Sequence, residues 1–438
     1  MCGIAGLVDY HPKNVNEIID EMVRTLSHRG PDSSGTEKVF DQNTAICLGH
    51  TRLSILDLSS AGHQPMNYKH LSITYNGEIY NFKEIKDELI TLGHTFISET
   101  DTEVVLHSFA EWGIDCVNKF RGMFSFAVLN KKDFEITLVR DRAGVKPLYY
   151  YLNDDLFMFG SELKVFHKHP RFKKKVNPMS LRMFMDSGVI PAPNSIFLKT
   201  HKLCGGTIAT YKVKSRELSI KKYWDVTEFY MKPALNISYP DAKRELESLL
   251  ISAFCDRMVA DVPVGMFLSG GYDSAAVAAI IQSSLDIKLK TFTIGFKGKF
   301  NEAPDAHKIS DYLNTDHTEY YCSIDDAEEL VDSLPYYYDE PFADSSAIPT
   351  MLVSKIAKDE VKVVLSADGG DEIFGGYNHH KRLLKNLRLI RKIPKHLRPF
   401  LSKIIKMARI NYRKYYANKK YDYLIQILNS SDEIVPLL

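Results

Sequence analysis

Cys2 stands directly after the initiating methionine of this 438-residue chain, a position that gives a thiol unusual chemistry. Cysteine is small enough for removal of Met1 to be expected, which would leave Cys2 with both a thiol and a free α-amine. Their reference pKa values, about 8.5 and about 7.7–8.0, are close enough for the amine to take the thiol proton near neutral pH. One residue could therefore supply a nucleophile and its general base. The alternative is a buried structural cysteine.

A second group of residues indicates phosphate binding. Residues 268–274 read Leu-Ser-Gly-Gly-Tyr-Asp-Ser, after an apolar run over 262–268 and before a helix-forming stretch over 275–281. Glycines let backbone N–H groups converge, and the start of a helix adds partial positive charge. Asp273 suits bound phosphate when a divalent cation lies between them, so we interpret it as a magnesium ligand. The alternative is an ordinary strand-to-helix turn with a capping residue.

The elements that would position these residues fall into two halves. The first half is mostly short β-like runs with polar turns, among them an Asn-Gly turn at 76–77 and a helix amino-cap within 99–103. Residues 166–240 show no sustained helical period and read as an extended loop followed by a β-hairpin. They join the first half to the second.

The second half alternates strands and helices, which predicts a doubly wound parallel sheet with ligands at the carboxyl ends of its strands. A helix over 241–259 leads into the glycine run, and further strands are predicted over 290–296 and 361–365. The last strand ends in a second acidic glycine loop, 366–372. The sequence has no Gly-x-x-x-x-Gly-Lys-Ser/Thr motif, which excludes a Walker nucleotide site.

Composition indicates a globular protein of the cytoplasm without a membrane partner. Hydrophobic residues make up 45% and charged residues 25% of the chain, and the formal net charge is +1. No apolar run is long enough for a membrane span, and the amino terminus lacks a positively charged secretory leader. Six scattered cysteines without a CxxC pair indicate reduced thiols rather than disulfides or a zinc site.

A basic tract covers residues 381–420, with fifteen Lys and Arg and no Asp or Glu. Apolar residues recur through it at helical spacing: Leu383, Leu384, Leu387, Ile390, Leu401, Ile404 and Ile405. This pattern favours a helical pair packed on the domain. A nucleic-acid-binding arm is the less favoured alternative.

Taken in order, the motifs from residue 2 to about 165 resemble the class II glutamine amidotransferase domain of the N-terminal nucleophile hydrolases. The resemblance implies an αββα sandwich that hydrolyses glutamine through a thioester on Cys2. It also implies that the Asn76 side chain and the Gly77 backbone N–H form the oxyanion hole. Arg52 would pair with the glutamine α-carboxylate, and Glu78 and Asp101 would hold the α-ammonium group.

The Ser-Gly-Gly-x-Asp-Ser run resembles the pyrophosphate loop of ATP pyrophosphatases. With the first half and the segments 301–304 and 339–349, the chain resembles glutamine-dependent asparagine synthetases from residue 2 to about 378. The ATP-binding residues so implied are Phe267, Leu268, Ser269, Gly270, Gly271, Asp273, Ser274, Ile294, Gly295, Ser366 and Ala367. Asp273 and Asp371 would bind Mg²⁺, and Asp368 stands where many relatives have a Glu that manages protons during ammonia attack.

The resemblance predicts a glutaminase domain with a connector hairpin over 1–220 and an α/β synthetase domain over 240–438. The implied reaction is ATP-dependent amidation of aspartate through β-aspartyl-AMP, with ammonia passed from the glutaminase site through an internal tunnel. Glutamine, aspartate and ATP are the expected small-molecule partners, and a homodimer stays an alternative to a monomer.

Relatives continue past the position of Leu438 through a further helical segment, so the synthetase domain is expected to lack its C-terminal part. Two alternatives therefore stay open. One is an enzyme of the same family acting on a sugar acid or a β-lactam precursor. The other is a glutaminase with a non-catalytic second domain.

Overall fold

The computed structural model describes residues 1–298 and 301–410, with residues 425 and 428. The chain divides into two compact units, Met1–Ser366 and Ala367–Leu438. The strands are β1 (Gly3–Asp9), β2 (Ser33–Asp41), β3 (Thr44–Arg52), β4 (Met66–Tyr68), β5 (Leu71–Ile79), β6 (Gly122–Asn130), β7 (Glu135–Arg140), β8 (Tyr149–Asn153), β9 (Leu156–Gly160), β10 (Thr200–Lys202), β11 (Thr207–Lys212), β12 (Glu217–Lys222), β13 (Val264–Phe267), β14 (Lys290–Phe296), β15 (Asp316–Cys322) and β16 (Val363–Leu365).

The α-helices in the described residues are α1 (Val15–Arg24), α2 (Phe82–Thr91), α3 (Asp101–Trp112), α4 (Pro178–Ser187), α5 (Val226–Tyr230), α6 (Tyr239–Asp256), α7 (Tyr272–Ser284), α8 (Ala303–Leu313), α9 (Ile324–Val331), α10 (Leu334–Tyr337), α11 (Ala347–Ala357), α12 (Gly370–Phe374), α13 (Asn378–Arg391) and α14 (Arg398–Ile410). Short 3₁₀ helices cover Ser60–Gly62, Gly113–Asn118, Leu163–Lys168 and Lys395–Leu397. None of the helices in this described part of the chain is long and apolar enough to span a bilayer.

Two six-stranded antiparallel sheets form the first half of the chain. Their strand orders are β10-β8-β9-β1-β3-β2 and β12-β11-β7-β6-β5-β4. One core lies between the sheets and contains Ile4, Ile46 and Phe157 of the first sheet with Leu138 and Ala209 of the second. Helix α1 covers the outer face of the first sheet, and α2 and α3 cover that of the second. The predicted αββα sandwich is confirmed.

The connecting stretch contributes strands to this sandwich. β10 pairs with β8 in the first sheet, and β11 pairs with β7 in the second and with β12 in the predicted hairpin. The interpretation of 166–240 as an extended loop followed by a hairpin misses two helices, α4 and α5, that lie within it. Asn177 caps α4 by accepting a hydrogen bond from the Met179 N–H, and Gly188 ends it at a φ of 81°. A short helix with good caps needs no long apolar period.

A four-stranded parallel sheet, in the order β15-β14-β13-β16, forms the centre of the second half. The predicted strands over 290–296 and 361–365 are confirmed as β14 and β16, and the predicted helix before the glycine run is α6. Strands β14 and β16 flank β13 on opposite sides, so the strand order reverses at β13. Ligands of doubly wound folds bind at the carboxyl ends of strands next to such a reversal.

The second compact unit contains α12, α13 and α14. Ile390 is buried there in a small apolar cluster with Leu387, Leu401 and Ile405, so the predicted helical pair is present and its apolar residues pack on one another. Leu384 and Ile404 are exposed, which corrects two members of the predicted packing face. The Leu383 side chain and the basic residues from 411 to 420 lie outside the described part of the chain.

Candidate active sites

The Cys2 thiol is held against the end of strand β3. Because Gly3 pairs with Thr51, Cys2 lies beside the residues that follow. The Leu53 N–H donates to Cys2 Sγ at 3.4 Å, and the Cys2 carbonyl accepts from Arg29 Nε at 2.9 Å. Burial raises the pKa of the Cys2 thiol. The sulfur is therefore fixed in place, and it needs a proton acceptor to become a thiolate.

Asn76 and Gly77 lie inside strand β5, opposite Ser125 and Phe124 of β6, so the prediction of a turn at this dipeptide is wrong. Gly77 is needed for packing, since a Cβ there would lie 2.6 Å from the Met123 carbonyl oxygen. Asn76 is 1% exposed, and its Nδ2 has no hydrogen-bond partner among the described residues. A buried amide donor without a partner lowers the stability of the fold, so such a donor often has a ligand as its partner.

Arg52 is a buried arginine at the end of β3. Its Nη1 donates to the Ser59 carbonyl at 2.7 Å, and its Nη2 donates to the carbonyls of Leu56 and Asp57. These backbone contacts fix the plane of the guanidinium and rule out the simple surface ion pair. Arginine has five N–H donors, so donors remain for a carboxylate ligand.

Two carboxylates lie near this arginine. Asp101 is buried at the first residue of α3, which Thr100 caps, and accepts from the Tyr75 hydroxyl at 2.6 Å and the Ile79 N–H at 2.9 Å. Burial raises the pKa of Asp101 to about 6, and burial with the neighbouring Asp101 charge raises the pKa of Glu78. A cation bound between two such carboxylates would stabilise both ionised forms.

One narrow cavity brings most of the predicted glutamine-site residues together. Its lining includes Cys2, Arg52, Gly77, Glu78 and Asp101. It thus combines a thiol, a guanidinium group and two carboxylates. This is the complement that an α-amino acid with a reactive side-chain amide requires.

Sequence reasoning missed a buried polar network behind the thiol. Glu162 accepts from Arg29 Nη1 at 2.9 Å and contacts His28 Nε2 at 3.1 Å, and these partners lower its pKa to about 2 despite burial. Arg29 also binds the Cys2 carbonyl, so the network positions the nucleophile. Residues 27–32 read Ser-His-Arg-Gly-Pro-Asp, which predicts a polar turn and so indicates part of this arrangement, whereas nothing in the sequence marks Glu162.

Lys146 is a second residue near this site that the sequence did not single out. It is buried, and burial lowers its pKa, while the nearby Glu78 charge acts in the opposite direction. Its sequence context, Gly-Val-Lys-Pro, gives no sign of burial, because lysine is mostly a surface residue.

The glycine loop after β13 is held by hydrogen bonds between its own residues and leads directly into a helix. Ser274 Oγ accepts a hydrogen bond from the Ser269 N–H at 3.1 Å and lies 2.8 Å from Ser269 Oγ. The Gly271 N–H donates to Ser269 Oγ at 3.2 Å. Helix α7 begins at Tyr272 directly after the loop. Among the described residues, a Cβ on Gly271 would meet only Ser269 Oγ, so they leave this side of the loop open.

The other predicted nucleotide residues lie around the same strands. Phe267 and Ile294, at the carboxyl ends of β13 and β14, pack on the core of the parallel sheet, and Leu268 is buried. A Cβ on Gly295 would lie 2.7 Å from the Tyr321 ring, and one on Gly270 would lie 3.0 Å from the Asp305 Cβ. These two glycines are therefore required by packing as well.

The predicted magnesium ligands are carboxylates, the hard oxygen donors that Mg²⁺ prefers, so the donor set fits this ion. Asp273 is half-buried in the first turn of α7. Ser366 is the last residue of the first unit. Ala367, Asp368 and Asp371 belong to the second unit, where Asp368 is exposed and Asp371 lies half-buried in α12.

Polar contacts join the two halves of the first unit. The Lys164 N–H donates to Asp339 Oδ2 at 3.0 Å, and its Nζ lies 3.2 Å from Asp339 Oδ1 and 2.6 Å from the Tyr336 carbonyl. Glu162 also binds Lys164 Nζ, so the network behind Cys2 continues into the second half. A cavity of about 410 Å³ lies at this joint, with Arg29, Glu162 and Asp339 in its lining.

Two protein families match the chain, one in its first half and one in its second half. The family described as glutamine amidotransferase domain matches residues 1–224, and the family described as asparagine synthase matches residues 245–432. A putative glutamine-hydrolysing asparagine synthetase 2 of Methanocaldococcus jannaschii is 41% identical over 428 residues, covering 92% of this chain and 81% of that protein.

Glutamine-hydrolysing asparagine synthetases 1 and 3 of Bacillus subtilis are 33% and 36% identical, covering 92% and 86% of this chain. The chain spans only 62% and 63% of the length of these two relatives. Fold, site and matches define a protein in which a glutamine amidotransferase domain precedes an asparagine synthase domain. The chain belongs to the family of glutamine-hydrolysing asparagine synthetases.

Proposed function

We propose that this protein makes L-asparagine from L-aspartate, ATP and glutamine. The observation that carries the proposal is that one compact unit contains both a Cys2 pocket suited to glutamine and a glycine loop suited to phosphate. Family membership supports the pairing of these two sites with an asparagine-forming reaction.

In the first half, Cys2 Sγ attacks the side-chain amide carbon of glutamine. After removal of Met1, the free α-amine of Cys2 accepts the thiol proton, which is required because burial raises the pKa of the thiol. The Asn76 side-chain amide and the Gly77 N–H donate to the oxyanion that forms. The C–N bond breaks, ammonia leaves with a proton returned from the amine, and water hydrolyses the thioester to glutamate.

Substrate binding in this half uses the three charged residues of the cavity. The fork of Arg52 pairs with the α-carboxylate of glutamine. Glu78 and Asp101 hold its α-ammonium group, whose charge favours their ionised forms and offsets the cost of burying them.

In the second half, the aspartate β-carboxylate attacks the α-phosphorus of ATP and pyrophosphate leaves. The N–H groups and hydroxyls of the loop from Ser269 to Ser274 bind the pyrophosphate. Mg²⁺ held by Asp273 would neutralise phosphate charge. Ammonia then attacks the β-aspartyl-AMP carbonyl, AMP leaves, and the Asp368 carboxylate accepts a proton from the attacking nitrogen.

Ammonia must cross between the halves without being lost to solvent. The cavity at the joint between them lies next to the Arg29–Glu162 network that positions Cys2. We assign it to the ammonia route.

The test separates the two half-reactions. Cys2→Ala should abolish glutamate release and glutamine-dependent asparagine formation, while ammonium salts still support asparagine formation with pyrophosphate release. Cys47→Ala is the matched control, because Cys47 is a buried cysteine inside β3 and should leave the use of glutamine intact. Absence of aspartate-dependent pyrophosphate release with both nitrogen sources would contradict the synthetase assignment.

A further inference from the structure

A cluster of metal-binding side chains lies away from both active sites, where helix α8 packs beside strand β15. In the described residues, His307, His317 and Glu319 each offer one ligand atom, and these atoms lie within 4.8 Å of one another. His307 is on α8, whereas His317 and Glu319 are two residues apart on β15 and so share one face of the strand. Two adjacent elements thus converge on one point.

The outer nitrogen of each histidine faces a side-chain oxygen, and that of His317 is within hydrogen-bond distance. His317 Nδ1 lies 2.9 Å from Thr291 Oγ1 of β14, and His307 Nε2 lies 3.6 Å from Asp311 Oδ2, one turn along α8. Histidine ligands of metals nearly always have such a second partner, which fixes the ring and its tautomer. The nitrogens that remain, His307 Nδ1 and His317 Nε2, are the ones available to an ion.

Of the two inner nitrogens, only that of His307 has a protein partner among the described residues. His307 Nδ1 is 3.3 Å from Glu319 Oε2, a separation that a surface ion pair could account for. His317 Nε2, however, is buried and has no hydrogen-bond partner among the described residues. A simple His–Glu pair therefore leaves a costly unpaired atom, whereas a metal ion would satisfy it.

We propose that His307 Nδ1, His317 Nε2 and the Glu319 carboxylate bind a divalent transition-metal ion of the zinc class. Two imidazoles and one carboxylate are a zinc donor set, with the fourth position left to water. Mg²⁺ prefers all-oxygen sites, so the nitrogen donors separate this site from the magnesium ligands of the nucleotide region.

The site would clamp α8 to the edge strand of the parallel sheet. The amino-terminal end of α8 lies against two glycines of the nucleotide region: Ala303 would contact a Cβ on Gly295 at 3.1 Å, and Asp305 one on Gly270 at 3.0 Å. An ion holding α8 in place therefore supports the wall behind the glycine loop. Its role is structural, because none of its ligands is among the residues assigned to substrates.

Zinc titration of the metal-stripped full-length protein against a chromogenic chelator tests the proposal. The wild type should bind one zinc ion tightly, and the affinity for that ion should fall at least about tenfold in both His307→Gln and His317→Ala. His307 is exposed, so His307→Gln should fold even if His317→Ala does not. Thr291→Val should weaken binding less, because it removes only the partner of His317.

His70→Ala is the matched control, since His70 is an exposed histidine of the glutaminase half and should leave zinc affinity unchanged. Co²⁺ substitution gives a second readout, with a tetrahedral absorption band expected in the wild type and in His70→Ala. Zinc affinity equal in the wild type and His307→Gln, or absence of a tight zinc ion in the wild type, would overturn the proposal. Zinc bound adventitiously at Cys2 would survive in both histidine variants and would count as the same negative result.

Discussion

At the scale of single residues, Asn76 gives the sharpest test of the glutaminase site. Asn76→Ala should lower kcat for glutamine hydrolysis by about 10²–10³, because it removes one oxyanion donor. Stability should hardly change, since Asn76 Nδ2 has no protein partner among the described residues to lose. Steady-state glutamate release and urea unfolding measure the two effects.

Asn81→Ala is the control for this prediction. Asn81 donates to the Lys119 carbonyl at 3.0 Å and accepts from the Arg121 N–H at 2.8 Å, so it holds structure together. Its loss should lower the free energy of unfolding by about 1–2 kcal/mol with kcat retained. A reversed pattern, with stability lost at Asn76 and activity lost at Asn81, would contradict the assigned oxyanion hole.

Asp101, a proposed glutamine-binding residue, lowers the stability of the folded protein when it is ionised, because it is buried. Its pKa in the folded protein, about 6, lies above the unfolded value of about 3.9. Between these values the folded state binds more protons, so the contribution of Asp101 to the free energy of unfolding falls as the pH rises. Asp101→Asn should therefore raise stability by about 1–3 kcal/mol at pH about 7.5 and by nothing below pH about 4.

Urea unfolding of Asp101→Asn and wild type at the two pH values checks the sign. The same variant should raise KM for glutamine, because an amide cannot pair with the α-ammonium group. A variant that is destabilised at the higher pH, or that binds glutamine normally, would exclude the assigned role.

At the scale of elements, the 3₁₀ helix Leu163–Lys168 joins the two halves through Lys164. Lys164→Met removes the contacts of its Nζ with Asp339 and Glu162. We expect glutamine hydrolysis to continue while the ratio of asparagine formed to glutamate released falls, because ammonia escapes at a loosened joint. Quantifying both amino acids in one reaction gives this ratio.

Lys168→Met offers a control within the same 3₁₀ helix. Lys168 Nζ lies 3.5 Å from Glu21 Oε2 of α1 and so contacts the glutaminase half. The Lys168→Met variant should form asparagine and release glutamate in the same ratio as the wild type. Equal ratios in both lysine variants would show that the Lys164 contacts do not support ammonia transfer.

Elements marked by a pattern of neighbouring residues could be predicted from the sequence, and those set by contacts between distant residues could not. The glycine loop and strands β14 and β16 were predictable, because apolar β-branched runs and glycine turns are local patterns. Strand β15 was missed, since an edge strand reading Asp-His-Thr-Glu-Tyr-Tyr-Cys has little apolar content. The turn predicted at Asn76-Gly77 was wrong, because these residues lie inside β5 against Met123 of β6. Met123 is distant in sequence, so no local pattern indicates this contact.

The candidate site divides in the same way. Cys2 and the motif residues were predictable by type and order, and the resemblance supplied their roles. Glu162 and Lys146 were not, because their importance comes only from burial beside residues distant in sequence. Long-range tertiary contacts therefore define the part of the site that no local pattern could indicate.

At the scale of the whole molecule, the glutaminase half contains its own cores. The three apolar cores of the sandwich are formed by residues between Ile4 and Tyr223. We therefore expect residues 1–224, expressed alone, to unfold cooperatively and to hydrolyse glutamine. Thermal denaturation followed by circular dichroism, together with glutamate release, checks this expectation, and a fragment without a cooperative transition would show that the sandwich depends on the second half.

The central claim is that one chain transfers nitrogen from glutamine to an acid activated by ATP. The most direct measurement supplies the full-length protein with aspartate, ATP, Mg²⁺ and glutamine carrying heavy nitrogen at its amide, and analyses asparagine by mass spectrometry. The account predicts asparagine bearing the heavy label in amounts equal to the AMP formed. Labelled ammonia and glutamate without labelled asparagine would contradict it.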